Sequence, residues 1–163
     1  MKRVVVVLAS VALLASLATA GLIWLLSRTP TPKYPEISAY SRGQLVRIGP
    51  YFFCQPRNSG ECDTPGTVGQ LTVDDRDPVQ LSLPPAIARS WWELRRDYGP
   101  QAPPQITEYL PGSDQLAVTI PTSDPARGRL AGITVQLKTL AVDQDGNELE
   151  WRHAEWSVAT VRP

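Results

Sequence analysis

From Val4 to Leu26 the chain reads VVVVLASVALLASLATAGLIWLL, 23 residues without a charge. At 1.5 Å per residue, a helix of that length runs to about 35 Å, enough to cross a bilayer. Farther along, the pattern changes to short apolar alternations broken by turn residues, and all 16 prolines fall after residue 29. Alternation of period two with frequent proline, glycine and aspartate predicts strands and turns, so an all-β domain is expected. VGQLTV and PVQLSL flank DDRD. A hairpin centred on Arg76 would set Val73 opposite Val79 and Leu71 opposite Leu81.

The clearest element is GITVQLKTLAVDQDGNELEWRHAEWSVATV, near the C-terminus. Asp145-Gly146 is the best two-residue turn in the chain, because a type I′ turn needs positive φ at both positions. Centred there, the register pairs Val142 with Leu149, Leu140 with Trp151, Leu137 with Ala154, Val135 with Trp156 and Ile133 with Val158. Every pair is apolar against apolar. The parity of the apolar positions changes in both strands near Lys138 and His153, and side chains alternate faces along a strand. The base of the hairpin is therefore expected to bury one face and the tip to present apolar groups on the other. Two readings follow. The strands bend between layers and the domain covers the tip, or Leu140, Val142, Leu149 and Trp151 form a partner-binding patch.

PPAIARSWWELRRDYG carries a helical stripe of Ile87, Trp91, Leu94 and Tyr98, with Pro85 suited to a first turn and Gly99 to a C-terminal cap. Trp92, Leu94 and Tyr98 also fit a strand after a short helical turn. Periodicity alone favours the helix.

Three parts are expected: residues 1–27 as the apolar segment, 28–35 as a stiff proline-rich stalk, and 36–163 as one domain of ordinary size. Ala18-Thr19-Ala20 resembles a signal-peptide cleavage site. Cleavage after Ala20, however, would leave GLIWLL on the mature chain, so an uncleaved transmembrane anchor is favoured. No cysteine lies near this segment, which excludes a bacterial lipoprotein anchor. Lys2, Arg3 and the amino terminus outweigh Arg28 and Lys33 on the other flank. That bias puts the N-terminus in the cytoplasm and the domain outside. From Tyr34 onward there are 12 Lys plus Arg and 16 Asp plus Glu, so the net charge is 12 − 16 = −4. No basic stripe points to nucleic acid, and the acidic balance opposes electrostatic docking onto anionic lipid.

Candidate chemistry is sparse. Cys54 and Cys62, the only cysteines, have seven residues between them. Zinc wants four ligands at short spacings and a redox pair wants two intervening residues, so an exported pair reads as a disulfide. The intervening QPRNSGE has the Pro, Asn and Gly needed to fold back. His153 is the only imidazole. No G-x-S-x-G elbow or other nucleophile setting accompanies it, so it is read as structural and no enzyme is expected. Asp74, Asp75 and Asp77, and separately Asp143 and Asp145, are clustered carboxylates. They stand where turns are expected, and turn chemistry is preferred to calcium. No metal or cofactor is expected. Trp24 ends the apolar run, where an interfacial aromatic belongs. A stacking platform for sugars would need exposed tryptophans.

The order of landmarks is an aromatic pair before Cys54, a short loop to Cys62, the SLPP–IA–W stretch from Ser82 to Trp92, and Trp156-Ser157 in the last strand. This order resembles a family of uncharacterised exported proteins of actinobacteria such as mycobacteria, over about residues 45 to 161. The resemblance implies export, an envelope location and an immunoglobulin-like β-sandwich; it implies no activity. It also tips Trp91 to Tyr98 towards a strand. The reading is a non-catalytic, membrane-tethered domain that binds an envelope protein partner. The alternative is a module for an envelope lipid or glycan.

Overall fold

The computed structural model describes residues 2–27, 32–55, 58–142 and 145–163. It divides into two compact units, Met1–Lys33 and Tyr34–Pro163. In the first, α1 (Lys2–Ser27) includes a 20-residue stretch, Val6–Leu25, apolar and long enough to cross a membrane. The hydroxyls of Ser10, Ser16 and Thr19 donate to the carbonyls of Val7, Ala12 and Ala15. The few polar side chains are thus satisfied inside the helix, as a lipid environment demands.

The second unit is built from β1 (Ile37–Ser41), β2 (Gln44–Ile48), β3 (Phe52–Gln55), β4 (Asn58–Asp63), β5 (Val68–Thr72), β6 (Val79–Ser82), α2 (Pro85–Ala88), β7 (Trp92–Asp97), β8 (Gln105–Tyr109), β9 (Ala117–Ile120), β10 (Ser123–Asp124), β11 (Gly128–Arg129), β12 (Gly132–Val142) and β13 (Glu148–Val161). Four strands form one sheet in the order β2-β1-β6-β9. A second, larger sheet runs β4-β3-β13-β12-β7-β8, with β5 added in parallel to β13; β10 and β11 make a small separate hairpin. The two large sheets share one core. Ile37, Ala39, Val79, Leu81 and Ile120 come from the first, and Leu94, Val135, Trp156 and Val158 from the second. Each is an inward position of an alternating strand, so the expected all-β class holds, behind one apolar N-terminal helix.

The segment left open between helix and strand resolves into two elements, a short helical turn and then the strand towards which the family resemblance tipped it. The single turn α2 buries Ile87, and β7 then buries Trp92 and Leu94. Pairing decides it: β7 lies between β12 and β8, which satisfy its backbone on both sides. Trp92 stacks on Tyr109, its cross-strand partner, at 4.0 Å.

The hairpin expected around Arg76 is absent. β5 joins β13, while β6 lies between β1 and β9 in the other sheet. Leu71, Val73, Val79 and Leu81 are all buried. They meet the core from opposite layers, so alternation identified their inward face and not their neighbours. The Asp74 carboxylate accepts the backbone N–H groups of Arg76 and Asp77 at 2.9 and 2.8 Å, closing the turn that crosses between sheets. Those bonds hold its carboxyl below the usual carboxylate range.

Of the expected stalk, residues 28–31 lie outside the described residues. Pro35 is tied to the domain, because the indole N–H of the buried Trp156 donates to its carbonyl at 2.9 Å.

Candidate functional site: the β12–β13 ribbon

β12 and β13 outrun the sheet that holds them. β7 pairs with β12 only as far as Leu137, and β3 pairs with β13 only at Ala154 and Glu155. One further bond, Lys138 N–H to the Trp91 carbonyl at 2.9 Å, ends the support on that side. Beyond it, residues 139–142 and 148–151 pair with each other and with no other described strand. They form a two-stranded ribbon that extends about 14 Å past its last supported rung, at roughly 3.4 Å per residue.

The register at the base is as expected, with Ile133 opposite Val158, Val135 opposite Trp156 and Leu137 opposite Ala154. It then shifts by one: Lys138 faces Arg152, Leu140 faces Glu150, Ala141 faces Leu149 and Val142 faces Glu148. His153 is the extra residue of a β-bulge. This corrects the expected pairs at the tip and the expected single patch. β12 has no bulge, so Leu140 and Val142 turn to the outer face. In β13 the extra residue absorbs the change of parity, so Leu149 and Trp151 stay on the side that faces the core farther down. The four residues thus divide between both faces. The turn also differs. The last described pair leaves residues 143–147 for the connection, with Asp143 and Gln144 outside the described residues. Gly146 has φ 85°, and pairing Val142 with Glu148 centres the connection on Asp145, which is not the register of a two-residue turn at Asp145-Gly146. Two successive positive φ values, 52° and 77°, occur at Arg42-Gly43 between β1 and β2, as a type I′ turn requires.

The tip is exposed: Leu140 by 55%, Val142 by 66% and Leu149 by 53%. Trp151 is half-buried against the His153 ring, 5.9 Å away. His153 is buried, with Phe53 edge-on at 6.5 Å. Its Nδ1 has no hydrogen-bond partner. Burial pushes its pKa down, against the opposing effect of a hydrogen bond to the Cys54 backbone. His153 thus packs the bulge between the Phe53 and Trp151 rings.

On the outer face at the ribbon's root stands Lys138, the only lysine after residue 33. Its Nζ lies 2.8 Å from Glu93, 3.2 Å from Glu150 and 3.3 Å from Glu108. Its pKa is raised, first by the hydrogen bond to Glu93, then by Glu150 and Glu108, with burial opposing. The Trp91 indole N–H donates to Glu108 at 2.7 Å, and this bond leads in lowering that carboxyl's pKa. A depression of about 440 Å³ opens here, lined by Glu93, Arg95, Ile106, Gln136, Lys138, Glu150 and Arg152. Most of these groups are already engaged. Gln136 donates to Glu155 at 2.8 Å, and Arg152 lies 3.8 Å from the same carboxylate. The cluster locks four strands together and fixes where the ribbon leaves the sheet. Sequence reading missed it; the one available signal was a solitary lysine among glutamates on strands.

The remaining candidates are placed simply. A disulfide joins Cys54 and Cys62, which sit directly opposite each other on β3 and β4. Of the loop between them, Pro56 and Arg57 lie outside the described residues. Asp75 takes Arg129 at 3.0 Å and Arg162 at 2.8 Å, tying Arg162 to the exposed turn between β5 and β6. Trp92 and Trp156 are fully buried, and Trp91 lies under the Lys138 ammonium at 5.5 Å. The tryptophans of the domain form no exposed row.

The fold defines a class: a disulfide-bearing β domain whose chain opens with an apolar helix of bilayer length. The chain belongs to the DUF2771 family, described as a protein of unknown function, whose pattern matches residues 30–161. This agrees with the resemblance read from the sequence. It is similar to uncharacterized protein Rv0875c of Mycobacterium tuberculosis strain H37Rv, at 48% identity over 149 residues, 91% of each chain. The same figures hold for uncharacterized protein Mb0899c of Mycobacterium bovis. No solved structure gives a significant match.

Proposed function

We propose that this protein is a single-span, membrane-anchored domain displayed outside the cytoplasm, non-catalytic, which docks a protein partner through the β12–β13 ribbon. The observation that carries the reading is the exposure of Leu140, Val142 and Leu149 on a ribbon that no described strand supports. Exposed apolar side chains gathered on a projection mark interaction sites. The positive N-terminal flank favours this orientation, and the disulfide fits an oxidising compartment.

The strand order favours an immunoglobulin-like frame. β1, β6 and β9 stand against β13, β12, β7 and β8, the order in which A, B and E face G, F, C and C′ in such sandwiches. In that frame the ribbon is the F–G hairpin, and F–G loops at sandwich ends are common binding elements.

Photo-crosslinking tests the docking role. Benzoyl-phenylalanine is placed at position 142 or 149 of the full-length protein in native membranes, with position 80 on the other sheet as control. The expected result is a light-dependent protein adduct at 142 and 149 and none at 80. Absence of a protein adduct at the tip, or equal adducts at all three positions, refutes the reading.

A further inference from the structure

On the outer face of the larger sheet, Arg95 borders the depression at the Lys138 cluster and also a second, larger one of about 640 Å³. The floor of the second is Arg95 and Asp97 on β7 with Thr134, the cross-strand neighbour of Arg95 on β12. Its wall is the β7–β8 connection, residues 98–104, through Pro100, Ala102 and Pro104. Prolines at 100, 103 and 104 fix φ along that wall. The Gly99 N–H donates to Asp97 Oδ1 at 2.8 Å where the wall leaves the strand. The volume is that of a small-molecule site. Arg95 is half-buried, yet it makes no side-chain hydrogen bond or ion pair among the described residues. Nearby cations on this face are engaged: Lys138 with three glutamates and Arg152 beside Glu155. Asp97 is exposed and faces the same space two residues on, its Cα about 7 Å along the strand. Apart from the Gly99 amide it has no partner among the described residues, and the Thr134 hydroxyl has none. A cation, an anion and a hydroxyl thus share one space with apolar groups along its side.

We infer that this depression binds a small zwitterion with an apolar body, a dipeptide or an amino acid, its carboxylate on Arg95 and its ammonium at Asp97. The inference is independent of the docking role proposed above. A lone anion would satisfy Arg95 but stand against Asp97, and a lone cation would do the reverse. A dianion such as inorganic phosphate meets the same repulsion more strongly. A zwitterion answers both groups and brings no net charge onto the face. The guanidinium fork suits a carboxylate, which it holds by two parallel hydrogen bonds. The proline wall offers apolar surface to a side chain. A dipeptide also gives the Thr134 hydroxyl a peptide group to bind. Because the wall is stiff, little ordering opposes binding.

The test is isothermal titration of the full-length protein in detergent, at neutral pH, with L-alanyl-L-leucine. Three further probes are N-acetyl-L-alanyl-L-leucine, which lacks the ammonium, L-alanyl-L-leucinamide, which lacks the carboxylate, and L-leucine. The expected result is saturable binding of the dipeptide, weakened about tenfold by blocking either end. Arg95→Gln should weaken the dipeptide about tenfold and leave the amide unchanged. Asp97→Asn, which keeps an oxygen for the Gly99 N–H, should weaken the dipeptide and leave the acetylated form unchanged. Thermal melts show whether each variant is folded, and the blocked probes test the unaltered protein whatever the variants do. Tighter binding of L-leucine than of the dipeptide, with the same dependence on Arg95 and Asp97, supports the site and makes a free amino acid its ligand. Failure of both the dipeptide and L-leucine to bind at millimolar concentration overturns the inference. So does equal binding of either blocked form, or dipeptide binding unchanged by either substitution. None of these outcomes bears on the ribbon.

Discussion

His153 and Lys138 stand on opposite strands beside the register shift of one hairpin, and they respond to protons and to substitution in opposite ways. The His153 imidazole is buried and its pKa is lowered by that burial. Between the lowered folded value and the ordinary value of about 6.5, the unfolded chain binds more protons than the folded one. The neutral ring therefore contributes stability that is present above pH 6.5 and lost as pH falls through the folded value. Thermal melts from pH 7.5 to 5 should show falling stability, and His153→Phe should flatten that fall; an equal slope in both would refute it. Lys138 poses the opposite case, a cation kept by its partners. Lys138→Met would leave Glu93 buried among carboxylates with its main counter-charge gone. The loss should be about 3 kcal/mol in urea unfolding. Lys138→Met with Glu93→Leu should recover much of it, because the uncompensated buried charge has been removed.

At the scale of elements, the β3–β4 staple and the close approach of β5 to β2 give separate predictions. Replacing Cys54 and Cys62 with serine should cost about 2.5 kcal/mol on the chain-entropy estimate for so short a loop. The unaltered domain should show no titratable thiol when denatured without reductant. On β5, a Cβ added at Gly69 would run into Cγ1 of Ile48, itself fully buried. Gly69→Ala should therefore destabilise by about 1 to 3 kcal/mol despite the smallness of the change. These elements also show what the sequence makes legible. Alternation identified Leu71, Val73, Val79 and Leu81 as inward positions, because burial on one face writes itself into period two. It did not identify their partners, since two strands facing one core from opposite sheets look the same as a hairpin. The bulge at His153 was visible as a change of parity. A single extra residue and a genuine change of face leave the same trace in one strand, and only the partner's backbone separates them. Trp91 to Tyr98 looked helical because Ile87 and Trp91 fell in step with Leu94. Membership of the sheet, a long-range fact, then overrode local periodicity. The Lys138 cluster draws on four strands, and no local window contains it.

For the whole molecule, the question is which side of the membrane bears the sandwich. The apolar stretch Val6–Leu25 has length and composition for one span. Lys2, Arg3 and the amino terminus precede it, and Arg28 and Lys33 follow, so charge asymmetry favours a cytoplasmic N-terminus, though by one positive charge. The disulfide carries independent weight, because such a bond persists where thiols are not kept reduced. Both arguments favour the proposed placement of residues 34–163 outside, and they fail in different ways, so one experiment separates them. In spheroplasts carrying an epitope ahead of Lys2, protease added outside should remove the domain and spare the epitope. The disulfide should be formed before any lysis. Full protection of the domain would overturn the orientation, and a reduced pair in that protected domain would show that the charge bias had been misread. Release of an intact domain beginning at Gly21, without added protease, would mean cleavage after Ala20. The ribbon would then meet the proposed partner from solution, with no anchor to hold its local concentration high. An uncleaved chain would confine the search for the proposed partner to two dimensions, so a partner held at the same bilayer would meet the ribbon at a raised effective concentration.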